Sequence, residues 1–217
     1  MTMSNNKKEN NTERVERKIF LPLSKGYLIS QYLINYGFRQ QHESNYVSSI
    51  YFDDIEYQNL RDNVDGNMYR SKLRARWYNK NLNHVRLEIK NKKALIGTKK
   101  LFLIEESFHN LMEVVNYSKN WSKIHYEKYV QPTAFITYDR NYFISDNIRV
   151  TIDTKVKSQK IIGQHFVSGS IEKYSVVEFK YSNTDEQNFR NIYEKLNLPV
   201  NRVTKSSKYA NALIRRA

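Results

Sequence analysis

The chain of 217 residues has no cysteine, only six glycines and only three prolines. Without cysteine, disulfides and thiolate metal sites are both excluded. The scattered glycines form no phosphate-binding loop, which excludes an enzyme of the P-loop class. Nowhere do proline, glycine and serine concentrate into a linker. We therefore expect a disordered polar segment at residues 1–12, followed by a single domain at residues 13–217.

Long hydrophobic runs are also absent. No stretch of about 18 apolar residues occurs, so we expect no membrane span in this chain. The first residues are polar and lack the apolar segment of a signal peptide. The simplest expected location is cytoplasmic.

Positive charge is what the chain has in excess. It carries 36 lysines and arginines against 22 acidic residues, a net charge of +14. Such an excess indicates a polyanionic partner. An AT-rich genome also enriches lysine, and a basic chain can bind nucleic acid. Because the total charge does not separate these explanations, the placement of the charges decides.

The charges recur at every second residue in segments that read as strands, and alternate residues of a strand face the same side. In the segment 68–78, cations occupy one side and apolar residues the other. Five further segments repeat the pattern. The charged and tyrosine positions that share such faces are Arg14, Glu16, Lys18, Lys72, Arg74, Arg76, Tyr78, Arg86, Glu88, Lys90, Tyr138, Arg140, Tyr142, Arg149, Asp153, Glu178 and Lys180.

The same patterns predict further elements along the chain. Strands are expected at residues 47–53 and 147–154, and helices at 107–128 and 185–196, with Ser107 as the cap of the first helix. Lys99 and Lys100 either lie at the mouth of a ligand site or end a strand in solvent, and the solvated strand end is favoured.

Two folds explain this alternation. For any single strand, the simpler explanation is an antiparallel sheet with one face in water. Across six segments, however, arginine and lysine recur beside a few isolated carboxylates. We therefore predict an α+β fold in which a closed antiparallel β-barrel has a charged lumen and helices packed outside. A barrel of about eight strands can hold a ligand, and crowded lumen cations repel unless an anion lies among them.

The ordered set of these motifs resembles the VTC domain of polyphosphate polymerases, from about residue 13 to the C-terminus. That family belongs to the triphosphate tunnel metalloenzymes, a CYTH-like superfamily. The matching motifs are Arg14–Lys18, Ser49–Asp53, Lys72–Tyr78, Leu87–Lys90, Tyr138–Arg140, Arg149–Asp153, Val177–Lys180 and Ser207–Tyr209.

The resemblance implies a metal-dependent phosphotransferase that moves the terminal phosphate of ATP onto a growing polyphosphate chain. Its expected ligands are ATP and pyrophosphate or polyphosphate, with Mn²⁺ or Mg²⁺ as cofactor. The implied catalytic residues are Lys18, Arg74, Arg76 and Lys208. The phosphate-binding set is Lys72, Lys90, Arg140, Arg149, Lys180 and Tyr142, where Tyr142 also suits a wall position. The implied metal ligand is Glu178, with Glu88 and Glu16 as helpers.

One departure from the wider superfamily is informative. Related triphosphatases begin with a Glu-x-Glu-x-Lys strand, and Arg14 stands where the first glutamate would be. This change favours the polymerase over a hydrolase. A metal-dependent inorganic or nucleoside triphosphatase and a non-enzymatic polyphosphate-binding protein remain open. The carboxylates within the charged faces argue against nucleic acid as the partner, while a membrane or another protein stays open.

Overall fold

The structure, a computed structural model, describes residues 14–93, 96–126, 128–167, 169–198 and 207–214. The predicted disordered segment at residues 1–12 lies outside them. The strands are β1 Arg14–Pro22, β2 Arg39–Asp53, β3 Tyr69–Tyr78, β4 Arg86–Lys93, β5 Ile96–Leu103, β6 Gln131–Ser145, β7 Ile148–Ile162, β8 His165–Phe166 and β9 Tyr174–Ser182. The helices are α1 Leu23–Asn35, α2 Gln58–Val64, α3 Leu111–His125, α4 Glu186–Lys195 and α5 Lys208–Ile214. None of these helices is long and apolar enough to cross a bilayer.

Alternation in the sequence produces the long β6–β7 hairpin. Ile148, Val150 and Ile152 are fully buried on one side of β7, and Asp146 makes the connecting turn with a left-handed φ of 46°. Strand β7 then continues beyond the predicted end at residue 154. Lys155, with a φ of 49°, lies where the register with β6 gains one residue. This bulge bends β7 and lets it keep pairing.

The sheet is entirely antiparallel in the order β1-β9-β7-β6-β2-β3-β4-β5, with β8 paired to β7. In the described residues β1 and β5 are its two edges and do not pair with each other. The predicted closed barrel is therefore wrong. Side-chain alternation shows which residues share a face, whereas closure depends on whether two distant edges meet.

The sheet nevertheless curls strongly. Lys90 on β4 contacts Glu16 on β1 at 3.1 Å, although five strands separate β1 from β4 in the sheet order. We call the side that carries these two residues the concave face. On the convex face, α1 and α4 cover β1, β9 and β7, while α3 covers β3 and β4. Burial of those apolar side chains is what stabilises the curled sheet.

Helix α5 lies on the concave face, unlike the helices that we expected only outside. The Tyr209 ring stacks on Tyr51 with centroids 5.2 Å apart, and the Tyr209 hydroxyl donates to Asp53 at 2.6 Å. Ala212 joins the same apolar cluster, together with Val47 and other sheet residues. One end of the concave face is thus filled by apolar groups, and the charged groups occupy the rest.

Candidate functional site

The strand register collects the predicted site residues on the concave face. Lys72 lies opposite Lys90 and Arg74 opposite Glu88, while Lys18 lies opposite Glu178. Lys208 joins from α5 by contacting Asp153. The residues that alternation places there are Glu16, Lys18, Lys72, Arg74, Arg76, Glu88, Lys90, Arg140, Tyr142, Arg149, Glu178 and Lys180.

Glu88 is a buried anchor for three cations. Its side chain is 1% exposed and accepts from Arg74 Nε at 2.7 Å and Lys99 Nζ at 2.9 Å. Arg86 Nε lies 3.2 Å away. Burial raises the pKa of Glu88, but attraction to Arg74 and the other cations outweighs burial and holds the pKa well below its usual range. The sequence favours a solvated strand end for Lys99, with the mouth of the site as the alternative, whereas the register opposite Lys90 places it on the concave face.

Asp153 anchors a second set of cations. It accepts two bonds from Arg140, at 2.6 and 2.7 Å, and it also contacts Lys208. Burial raises the pKa of Asp153, but attraction to Arg140 and Lys208 outweighs burial, so the net shift of the pKa is downward. The bidentate pair fixes the plane of the Arg140 guanidinium. Asp153 was recognised on the charged face but not as a site residue.

Arg76 is buried with neutral partners. It is 5% exposed and donates to Ser49 Oγ and the Tyr138 hydroxyl, each at 3.0 Å. Nearby, Tyr51 accepts from Arg74 at 3.0 Å. Burial raises the pKa of Tyr51, yet Arg74 and Arg76 lower it to about 8. Arg74 is paired with Glu88, whereas the charge of Arg76 is only partly balanced by these neutral hydroxyl groups.

Glu178 and Glu16 are held more loosely, by lysines. Glu178 lies 3.5 Å from Lys18 and 3.8 Å from Lys180, and Glu16 lies 3.1 Å from Lys90 and 3.4 Å from Lys180. Burial raises both carboxyl pKa values, but the lysines outweigh it, and the net shift is downward for each. These carboxylates lack the bidentate arginine contact that fixes Asp153.

Lys72 has no carboxylate partner within the described part of the chain. Its Nζ donates to the Asn63 side-chain oxygen at 2.6 Å. Burial, followed by repulsion from Lys18, Lys90 and neighbouring arginines, lowers its pKa to about 7. A charged lysine is therefore costly here until an anion arrives.

Two of the residues predicted to bind phosphate lie apart from the charged clusters around Glu88, Asp153 and Glu178. Arg149 is exposed and stands in register with Lys180. Tyr142 is half-buried, and its ring makes a T-shaped contact with the His42 ring, with centroids 5.6 Å apart. Both share the concave face, and their role in phosphate binding stays a prediction.

The carboxylates of the concave face offer few ligands for a divalent cation. The described residues contain no cluster of three or more histidine or acidic side chains that could hold a metal. Glu88 already contacts three cations, two of them arginines, whereas Glu16 and Glu178 lie on adjacent strands and contact only lysines. Mg²⁺ commonly takes one or two carboxylates together with phosphate oxygens. The Glu16–Glu178 pair therefore fits a cation that arrives with its phosphate ligand.

The curled antiparallel sheet is consistent with a triphosphate-tunnel fold, and solved structures have the same fold. A conserved hypothetical protein from Pyrococcus furiosus aligns with a TM-score of 0.56 and 14% identity, covering 90% of this chain and 97% of its own. A candidate adenylate cyclase from Vibrio parahaemolyticus gives 0.57 and 12%, covering 92% and 97%. A candidate adenylyl cyclase from Hippeastrum, described as having a dominant triphosphatase activity, gives 0.56 and 13%, covering 91% and 95%.

The family is shown by the sequence itself. The model of the VTC domain matches residues 2–215, so this chain belongs to the VTC domain family. No curated protein matches the sequence. At these identities the structural neighbours establish the shared fold alone.

Proposed function

We propose that the protein transfers the terminal phosphate of ATP onto a polyphosphate chain. The observation that carries the proposal is the excess of cations over carboxylates on the concave face, with Arg76 and Lys72 lacking any carboxylate partner among the described residues. Repulsion among these cations favours the binding of an anion of several charges. Membership of the VTC domain family supports phosphate chains as that anion.

The side chains suit phosphoryl transfer, which depends mainly on positioning and charge stabilisation. Arg74 and Arg140 are oriented in advance by buried carboxylates, so each can present its remaining N–H groups to phosphate oxygens without a further loss of side-chain entropy. Lys18 and Lys208 add point charges. The attacking oxygen of a phosphate chain is already ionised at neutral pH, so no general base is needed.

Glu178 and Glu16 would hold the divalent cation. When bound, Mn²⁺ or Mg²⁺ neutralises charge on the triphosphate oxygens. The lysines around the two carboxylates can turn toward phosphate once a cation replaces them.

A metal-dependent triphosphatase is the second candidate. It is favoured by the Hippeastrum protein of the same fold, which is described as having a dominant triphosphatase activity. The two activities differ only in whether a phosphate chain or water attacks.

The test is to incubate the purified protein with ATP and Mn²⁺ or Mg²⁺ and to resolve long chains and free phosphate. Long chains that disappear in Arg76→Ala, but persist in the exposed control Lys80→Ala, support the polymerase. Free phosphate without chains establishes the triphosphatase. Tripolyphosphate binding without turnover leaves a binding protein.

A further inference from the structure

Thr151 carries a hydroxyl that has no hydrogen-bond partner among the described residues, although its oxygen atom is buried. Thr151 lies on β7, and its neighbours Val150 and Ile152 are fully buried on the convex side. Because side chains alternate along a strand, the Thr151 side chain belongs to the concave face. A buried hydroxyl without a partner is costly, and native proteins usually complete such a group with water or a ligand.

The strand register places Thr151 next to Glu178. Thr151 lies opposite Glu178 on β9 and opposite Tyr142 on β6. Side chains directly opposite each other on one face have Cβ atoms about 5 Å apart. Glu178 contacts Lys18 and Lys180 rather than the hydroxyl. The unpartnered oxygen is thus next to one of the two carboxylates that fit a divalent cation.

Lys180 shows where a positive charge fits between the two carboxylates. Its Nζ lies 3.4 Å from Glu16 Oε1 and 3.8 Å from Glu178 Oε1. Both distances exceed the roughly 2.7–2.9 Å of a charge-assisted hydrogen bond, and the Lys180 side chain is 35% exposed. The ammonium therefore holds this position loosely and can leave it for a phosphate oxygen.

Two carboxylates do not fill the coordination sphere of a divalent cation. Mg²⁺ requires about six oxygen ligands in octahedral geometry, and Mn²⁺ accepts the same ligands. The described residues provide no third acidic or histidine ligand at this position. A threonine hydroxyl is a suitable neutral ligand, as the P-loop enzymes show for Mg²⁺, and Thr151 stands in register with Glu178.

We propose that the Thr151 hydroxyl is a ligand of the divalent cation that Glu16 and Glu178 hold. The inference rests on the proposed function, because it concerns the cation that accompanies the bound phosphates. It explains why a threonine stands where no described group of the protein completes its hydroxyl. A hydroxyl that bonded a phosphate oxygen directly would fit the same position, and the experiment separates the two.

The experiment measures by calorimetry the affinity of the full chain for the β,γ-imido analogue of ATP, once with Mn²⁺ and once with a chelator of divalent cations. We call the ratio of the two Kd values the Mn²⁺ gain. Thr151→Val keeps the shape of the side chain but loses the hydroxyl, so it should lower the Mn²⁺ gain roughly tenfold or more. Without the cation its Kd should change by less than about twofold, since no hydrogen bond is lost. Thr151→Ser should restore most of the gain.

The matched control is Ser158→Ala, which removes a second buried hydroxyl that has no partner among the described residues. Ser158 lies farther along β7, opposite Ile136, so this variant should leave the Mn²⁺ gain unchanged.

The outcomes separate this inference from the proposed function. An equal loss of affinity with and without Mn²⁺ in Thr151→Val would assign the hydroxyl to a phosphate oxygen and overturn the inference. An unchanged Mn²⁺ gain in Thr151→Val, together with a lost gain in Glu178→Gln, would remove Thr151 from the site but leave the cation site intact. A native chain without any Mn²⁺ gain would contradict the cation of the proposed function as well.

Stability provides an independent check. In urea without ligand, Thr151→Val should unfold at the same midpoint as the native chain or at a higher one, because the lost hydroxyl has no partner. A lower midpoint would show that the hydroxyl stabilises the fold through a partner of its own, and that result would also overturn the inference.

Discussion

The two kinds of cation on the concave face differ in how they are held. Arg74 and Arg140 make close contacts with the buried carboxylates of Glu88 and Asp153. Lys18, Lys90 and Lys180 contact Glu178 and Glu16 at 3.1 to 3.8 Å, and Lys72 binds an amide. We call Arg74, Arg76 and Arg140 the arginine side, and Lys18, Lys72, Lys90 and Lys180 the lysine side. We infer that the arginine side is organised before ligand binds, whereas the lysine side reorganises when ligand arrives.

The largest expected effect tests the arginine side. Glu88→Ala leaves three neighbouring cations without their shared carboxylate, so we expect a loss of about 3 kcal/mol in the free energy of unfolding, measured in urea. Tripolyphosphate should restore part of that loss, because phosphate can take the carboxylate's place. The control Glu56→Ala, which breaks an exposed pair with Arg61, should cost less than about 1 kcal/mol. Equal losses in both variants would remove the special role of Glu88.

A smaller effect separates geometry from charge. Arg76→Lys keeps the charge but loses the planar fork that Ser49 and Tyr138 orient. We expect kcat/KM for ATP to fall roughly a hundredfold. The reciprocal change Lys180→Arg on the lysine side should alter kcat/KM for ATP by less than about fivefold. A similar fall in both variants would show that the two sides are equally organised.

The lysine side should show its reorganisation as a pH dependence. The pKa of Lys72 is lowered to about 7 in the folded chain, below its value in the unfolded chain. Between these two pKa values the unfolded chain binds more protons, so this residue makes the free energy of unfolding rise with pH above about 7. Lys72→Met should remove that part of the rise.

Ligand binding at Lys72 should reverse the shift. Tripolyphosphate favours the charged lysine, so binding near pH 8 should take up close to one proton. Calorimetry in buffers of different ionisation enthalpy measures this uptake. Uptake that is unchanged in Lys72→Met would assign the proton to another group.

The smallest expected effect concerns Glu16. Its lysine contacts are only half-buried, so Glu16→Gln should change the free energy of unfolding by less than about 1 kcal/mol. Its effect should appear instead as a weaker dependence of activity on Mn²⁺, measured by titration. A stability loss as large as that of Glu88→Ala would contradict the distinction between the two sides.

Local periodicity predicted several elements closely. The segment predicted as strand 68–78 is β3 Tyr69–Tyr78, and helix 185–196 is α4 Glu186–Lys195. Where the sequence is uniformly polar the prediction failed. Strand β2 was expected from residue 47 but begins at Arg39, because its first half pairs with β6 without burying an apolar face.

The predicted N-terminal cap of α3 is also wrong. Ser107 was the expected cap, but the helix begins after Asn110, whose side chain accepts from the Glu113 N–H at 3.0 Å. Glu113 returns a bond from its carboxylate to the His109 N–H at 2.8 Å. This reciprocal arrangement is preferred because it satisfies two free backbone donors.

The sequence by itself determined which residues share a face, since alternation along a strand is a local property of the backbone. It separated the cations at positions 72, 74 and 76 from Leu73, Ala75 and Trp77, which are buried opposite them. Only the tertiary structure decided that Glu88 binds Lys99, that Asp153 binds Arg140, that α5 enters the concave face and that β1 and β5 do not pair within the described residues. Those outcomes depend on register and curvature, which arise from pairing between segments far apart in the chain.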